Sequence, residues 1–159
     1  MLADTRKPQG HALRKGRFSE PGRIYLISTV THGRRAVFSE LVVGRLVVRA
    51  LRDCNQQAES LAFVIMPDHM HWLFTLVQGC NLSTVVGSMK GRSARAVNLH
   101  RRQRHQTPIT PLWQKGFHDH ALRVEEDIVD IARYIVANPL RAGLVKSIGD
   151  YPLWDAIWL

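Results

Sequence analysis

Residues 66–73 read MPDHMHWL and open an apolar run that ends near Val77. Because the side chains of a strand alternate between its two faces, His69 and His71 point to the same face. The opposite face carries large apolar side chains: Met70, Trp72, Phe74 and Leu76. The pattern therefore predicts a strand with one face in the core and two imidazoles on the other, close enough to bind one metal ion.

The segments around this strand predict an α+β, ferredoxin-like fold. In chain order we expect a strand at 23–31, a helix from 39 or 40 to about 53, strands at 61–66 and 69–77, a helix from 81 or 83 to about 101, a strand within 112–123 and a helix that starts near 124. This order is the split β-α-β pattern, with strands one and three at the centre of an antiparallel sheet. The first two helices cover one face, so the additional C-terminal helix can cover the histidine face.

The last helix carries side chains that could complete a site. We expect acidic residues 125–127 in its first turn, where the helix dipole favours negative charge. Its apolar stripe would be Val124, Ile128, Ile131 and Ile135. Tyr134 and Asn138 are four residues apart and share one side of the helix. Pro139 should end or kink the helix at Asn138.

Each of these residues also has a purely structural interpretation. The two histidines could be hydrogen-bonded side chains at a strand end. Tyr134 could be an aromatic residue at the edge of the core, and Asn138 could cap the turn that Pro139 begins. Spacing alone leaves these alternatives open.

The charge of the chain indicates a polyanionic partner, most often a nucleic acid. Lys and Arg number 22 against 13 Asp and Glu, a formal net charge of +9 over 159 residues, although a merely basic surface is the alternative. Trp113 and Trp72 could stack on bases, but Trp72 fits the core better. His118 and His120 could contact DNA, although we favour ordinary polar positions in strand four. The basic residues that could bind phosphates are Arg34, Arg35, Lys90, Arg92, Arg95, Lys115 and Arg123.

The remaining features predict the organisation of the chain and its compartment. We divide it into a basic N-terminal arm at 1–22, a domain at 23–145 and a tail at 146–159 packed on that domain. The arm could equally be a solvated tail without a role. Two cysteines are too few for a disulfide framework, so we expect reduced thiols. Without a secretion signal or an apolar run that could span a bilayer, we expect a cytoplasmic protein.

These motifs together resemble those of the REP-associated tyrosine transposases, which belong to the single-tyrosine HUH nucleases. PDHMHW at 67–72 matches the HUH motif of histidine, bulky apolar residue and histidine. YIVANPLRAGLV at 134–145 and LWQKGFHDHALR at 112–123 are also similar to the family, as is the region from Tyr25 to Phe38. The resemblance covers about residues 23–145.

The resemblance implies a bacterial, nucleoid-associated nuclease that cuts single-stranded DNA beside extragenic palindromic hairpins. It implies that the histidine pair binds Mg²⁺ or Mn²⁺ with Asn138 as the third ligand. Tyr134 would be the nucleophile and would form a 5′-phosphotyrosine. We expect Asp127 and Asp130 on other sides of the helix, so the sequence indicates no proton acceptor for the phenol.

Two other functions stay open at this point. One is a catalytically silent protein that binds DNA hairpins. The other is a metal hydrolase that uses activated water, in which Tyr134 would be dispensable. Related transposases build their sites across a dimer, but the REP-associated group looks monomeric, so we expect a monomer.

Overall fold

The computed structural model describes Glu20 and residues 22–158, so most of the predicted basic arm lies outside the described residues. The elements in order are β1 Ile24–Val30, α1 Leu41–Asp53, β2 Ala58–Ile65, β3 His69–Leu76, α2 Leu82–Gln103, β4 His118–Ala121, α3 Ile128–Val136, α4 Asn138–Arg141 and β5 Trp154–Ala156. Short 3-10 turns lie between some of them. The predicted order of four strands and three helices is confirmed.

The strands form a five-stranded antiparallel sheet in the order β4-β1-β3-β2-β5. Strands β1 and β3 pair at its centre, as predicted, with Ser28 opposite His71 and Val30 opposite His69. Strand β5 was not predicted. It comes from the tail and pairs with β2, with Ala156 opposite Ala62. The fold class is therefore the predicted α+β, ferredoxin-like one, with the sheet widened by one strand.

Helices α1 and α2 cover the face of the sheet that lies away from the histidine pair. Trp72 is fully buried there, and its indole N–H donates a 2.8 Å hydrogen bond to Ser60 Oγ. Trp113 is also buried, with its ring centroid 5.1 Å from that of Phe38 and its N–H donating to Ser93 Oγ. Trp113 is a core residue, so the prediction that it stacks on a base is wrong.

Helix α3 covers the histidine face, but it begins later than predicted. The Asp127 carboxylate accepts hydrogen bonds from the backbone N–H groups of Val129 and Asp130, so Asp127 caps a helix that starts at Ile128. Val124 is fully exposed and does not belong to the apolar stripe. The two glutamates before Asp127 lie outside the helix, because the cap rather than the apolar spacing decides where it starts.

Two expectations about the chain as a whole can be compared with the structure. Both Cys54 and Cys80 are free thiols, and burial raises the pKa of Cys54. None of the described helices combines the length and the apolar character needed to cross a membrane.

Candidate active site

The histidine pair lies at the start of β3, and each ring is held by an oxygen atom. The rings of His69 and His71 are nearly perpendicular, with centroids 5.1 Å apart. His69 Nδ1 is 2.6 Å from Asp68 Oδ1, and His71 Nδ1 is 2.6 Å from Ser28 Oγ. In the tautomer that donates from Nδ1, each ring keeps the lone pair of Nε2 for a ligand. Proteins commonly orient metal-binding imidazoles in this way.

The charge state of His71 suits a ligand. Its pKa is lowered to about 4, because the imidazole is buried and because the charges of His69 and Arg141 oppose a further proton. His71 is therefore neutral at neutral pH. Partial burial acts to raise the pKa of Asp68, but its hydrogen bond to His69 and the Arg34 guanidinium, 3.5 Å away, hold that pKa below its ordinary value.

The junction of α3 and α4 carries three polar side chains, on or next to the helix that covers the histidine face. Helix α4 follows α3 directly with Pro139 in its first turn, which confirms the predicted break at Asn138. Tyr134 is 65% exposed, and the guanidinium carbon of Arg141 lies 3.9 Å from the centroid of its ring. Asn138 donates a 2.8 Å hydrogen bond from Nδ2 to the Ile135 carbonyl. This bond uses the amide nitrogen and not the amide oxygen, which is the atom that could bind a metal ion.

A groove of about 500 Å³ runs beside Tyr134 and is lined by Leu26, His120, Glu126, Asp127, Asp130, Ile131 and Tyr134. Leu26 and Ser28, the partner of His71, point to the same face of β1. They are two residues apart, or about 7 Å along the strand. The groove with Tyr134 therefore lies close to the histidine pair.

The groove also contains the acidic side chains of Glu126, Asp127 and Asp130. Asp130 precedes Tyr134 by four residues and shares its side of α3, so the prediction that Asp127 and Asp130 lie on other sides is wrong. His120 Nε2 is 2.9 Å from each carboxylate oxygen of Glu126, and this hydrogen bond lowers the pKa of Glu126. Groups that can accept a proton thus line the same groove as Tyr134.

The side chains at the histidine pair could bind a divalent metal ion, but few of them are charged. Among the described residues, no three His, Cys, Asp or Glu side chains come together in a group that could hold a metal. Further ligands would have to be oxygen atoms of another kind, such as the amide oxygen of Asn138, water or a substrate phosphate. The two oriented imidazoles, of which His71 is neutral, meet the first requirement of such a site.

The basic residues singled out from the sequence are distributed over both sides of the sheet. Arg34 is beside the histidine pair through its contact with Asp68. The α2 residues Lys90, Arg92 and Arg95 lie across the sheet from that pair. Lys90 Nζ donates to the carbonyls of Gln114 and Gly116, so this ammonium group holds the loop before β4. Arg35, Lys115 and Arg123 are exposed, and their contacts with DNA stay a prediction.

Two residues of the site were missed by the sequence interpretation. Ser28 was hidden because its role depends on the pairing register between β1 and β3. Arg141 follows Tyr134 by seven residues, which is two helical turns and hence the same side of a helix. That spacing was a usable signal, but Pro139 interrupts the helix between them.

The orientation of His71 gives a testable prediction. We expect Ser28→Ala to weaken metal binding about 10- to 100-fold, because His71 loses the oxygen that holds Nδ1. The measurement is the Mn²⁺ concentration that gives half-maximal binding or cleavage. Thr29→Val is the matched control, since Thr29 points to the other face and its hydroxyl has no partner among the described residues. Unchanged Mn²⁺ affinity in Ser28→Ala would contradict the role given to Ser28.

The sheet, its helices and the histidine pair agree with the fold and the motif expected of an HUH-type transposase. It belongs to the family described as "Transposase IS200 like", whose sequence profile matches residues 23–138. The chain is 29% identical over 106 residues to the REP-associated tyrosine transposase of Escherichia coli. This match covers 67% of this chain and 58% of that protein. It therefore spans less than two thirds of the length of that relative.

Two further comparisons confirm the resemblance to REP-associated tyrosine transposases. A Haemophilus influenzae protein named "Putative REP-associated tyrosine transposase" is 29% identical over 137 residues, or 82% of this chain and 78% of that protein. The solved structure of a REP-associated tyrosine transposase bound to a REP hairpin superposes with a TM-score of 0.70. It is 23% identical and the match covers 87% of this chain and 79% of that one, so it shows the shared fold.

Proposed function

We propose that this chain cleaves and rejoins single-stranded DNA at or near REP-type hairpins through a 5′-phosphotyrosine intermediate. The observation that supports the proposal is an exposed Tyr134 in a groove that reaches Leu26, on the same face of β1 as Ser28, which orients His71. The hairpin substrate is suggested by the names of the relatives and by the net charge of +9. Such a substrate would place the protein at the nucleoid.

In the proposed reaction the tyrosine exchanges one phosphate ester for another. The Tyr134 phenol loses its proton, and its oxygen forms a bond to phosphorus. The bond from phosphorus to the 3′ oxygen breaks, and that oxygen takes up a proton. Because the number of phosphodiester bonds is unchanged, a 3′-hydroxyl of another strand can reverse the step and be joined.

The other residues of the site would bind a metal ion and accept the proton of the tyrosine. His69, His71 and Asn138 would hold a divalent ion, Mg²⁺ or Mn²⁺, which when bound would polarise the scissile phosphate as a Lewis acid. Neutral protein ligands leave the full positive charge of such an ion for the phosphate. The groups of the groove beside Tyr134, among them His120 with Glu126, can take the phenol proton directly or through water.

We further propose that one chain holds a complete site. Tyr134 and Arg141 contact each other, and the charge of Arg141 acts on His71 of the same chain, which supports a site built without a residue from a partner. The domain at 23–145 would carry the chemistry. The arm at 1–22 and exposed basic residues such as Arg35, Lys115 and Arg123 would add phosphate contacts that weaken as salt rises.

The test is an incubation of the protein with a labelled single-stranded hairpin and Mg²⁺ or Mn²⁺, followed by a denaturing gel. A labelled protein–DNA adduct is the expected result. Hairpin binding without cleavage would instead indicate a silent binding protein. Cleavage without any adduct would indicate a hydrolase that uses activated water.

A further inference from the structure

Arg141 on α4 and Arg133 on α3 differ in the side chains that they contact. Arg133 on α3 lies 3.6 Å from Asp130 and is paired with it. Arg141 is exposed, and within the described part of the chain no carboxylate forms an ion pair with it. Its guanidinium lies instead over the ring of Tyr134, 3.9 Å from the centroid. An unpaired cation therefore lies against the side chain that is proposed to react.

The place of Arg141 in the fold puts this cation in contact with one half of the site and near the other. Helix α4 begins at Asn138, so Arg141 is one turn beyond the proposed third ligand. On the other side its charge acts on the buried ring of His71. A phosphate that meets both the tyrosine oxygen and an ion at the histidine pair has to occupy this same region.

We propose that Arg141 forms the binding site for the scissile phosphate, with its guanidinium face on Tyr134 and its N–H edge on a non-bridging phosphate oxygen. The inference rests on the proposed function and gives Arg141 a role in the reaction, which the steps described above do not assign to it. Arg141 forms no covalent bond in this proposal, and the exchange of phosphate esters by Tyr134 is unchanged.

The chemistry of arginine suits both contacts at once. A guanidinium is planar, so it can stack on an aromatic ring through its face while donating hydrogen bonds from its edge. Its paired N–H groups match the geometry of phosphate oxygens, and such charge-assisted bonds are the strong ones. Stacking also restricts the rotation of an exposed phenol, which favours the geometry of attack. Lysine would keep the charge but lose the stack and the paired donors.

The test compares Arg141→Ala, Arg141→Gln and Arg141→Lys in single-turnover adduct formation on a labelled hairpin with saturating Mn²⁺. We expect Arg141→Ala and Arg141→Gln to be slower than the wild type by about a hundredfold or more, as when one charge-stabilising donor is lost from an active site. Arg141→Lys should recover only part of the rate. Hairpin affinity and the Mn²⁺ midpoint should stay within about twofold of wild type, because one phosphate contact among many is removed.

Three controls separate phosphate binding from a structural role. Arg133→Ala removes an exposed arginine from the neighbouring helix and should keep the wild-type rate. Millimolar guanidinium ion should raise the rate of Arg141→Ala but not that of Arg141→Lys. Thermal melting should show all variants folded, since Arg141 is exposed.

The outcomes distinguish this inference from the proposed function. A wild-type protein that forms no adduct would overturn the proposed function. An adduct in the wild type together with an equal rate in Arg141→Ala would overturn the inference alone. An equal loss of rate in Arg133→Ala would also overturn the inference. The same conclusion would follow if guanidinium ion did not raise the rate of Arg141→Ala.

Discussion

Tyr134→Phe is expected to abolish the covalent protein–DNA adduct while leaving hairpin binding unchanged. The substitution removes one oxygen atom, and this oxygen is the proposed nucleophile. Because the side chain is 65% exposed, loss of the hydroxyl leaves no buried group unsatisfied. The phenyl ring can still stack under Arg141. We expect cleavage to fall at least about a thousandfold, as is typical when a nucleophile is removed.

The comparison needs a second tyrosine that lies outside the site. Tyr151 is suitable, since its hydroxyl donates to the Ile65 carbonyl near the end of β2. Tyr151→Phe should lower the free energy of unfolding by about 1 kcal/mol and keep the adduct. The measurements are labelled adduct on a denaturing gel and hairpin affinity from band shift. Strand cleavage that persists at the wild-type rate in Tyr134→Phe would show that water, not the tyrosine, attacks phosphorus.

His71→Ala is expected to have the second largest effect, a loss of metal-dependent cleavage. Without this imidazole the site keeps one ring nitrogen, and an isolated histidine is a weak site for Mg²⁺ or Mn²⁺. Hairpin binding should remain, because the phosphate contacts come from exposed basic residues elsewhere on the chain. His69→Ala should behave in the same way, although its ring is held by Asp68 rather than by Ser28.

The matched control is another histidine of the same sheet face. His118 of β4 is opposite Ser28 on the side away from His71, and it is exposed. His118→Ala should keep both cleavage and the Mn²⁺ midpoint, in line with an ordinary polar position. Thermal melting belongs with these assays. If His69→Ala and His71→Ala both unfold, the two histidines are structural and the proposal that they bind a metal ion is wrong.

Much of the fold could be predicted because local rules set it. Alternation along β3 separates the histidine face from the core face. Asn81 caps α2 by accepting a hydrogen bond from the Thr84 N–H, and Pro139 breaks the last helix where expected. These features depend on residues within a few positions of each other, so the sequence displays them directly. The start of α3 was misplaced because Asp127, not the apolar stripe, ends the preceding turn.

The sequence by itself determined the element order, the shared face of His69 and His71, and Tyr134 as the residue to test. Only the tertiary structure decided which atoms hold these side chains in place. The contact of Ser28 with His71 joins positions far apart in the chain and depends on strand register. The stack of Arg141 on Tyr134 depends on the angle of the chain after Pro139. Register and helix placement are set by the packing of the whole core, which no local pattern encodes.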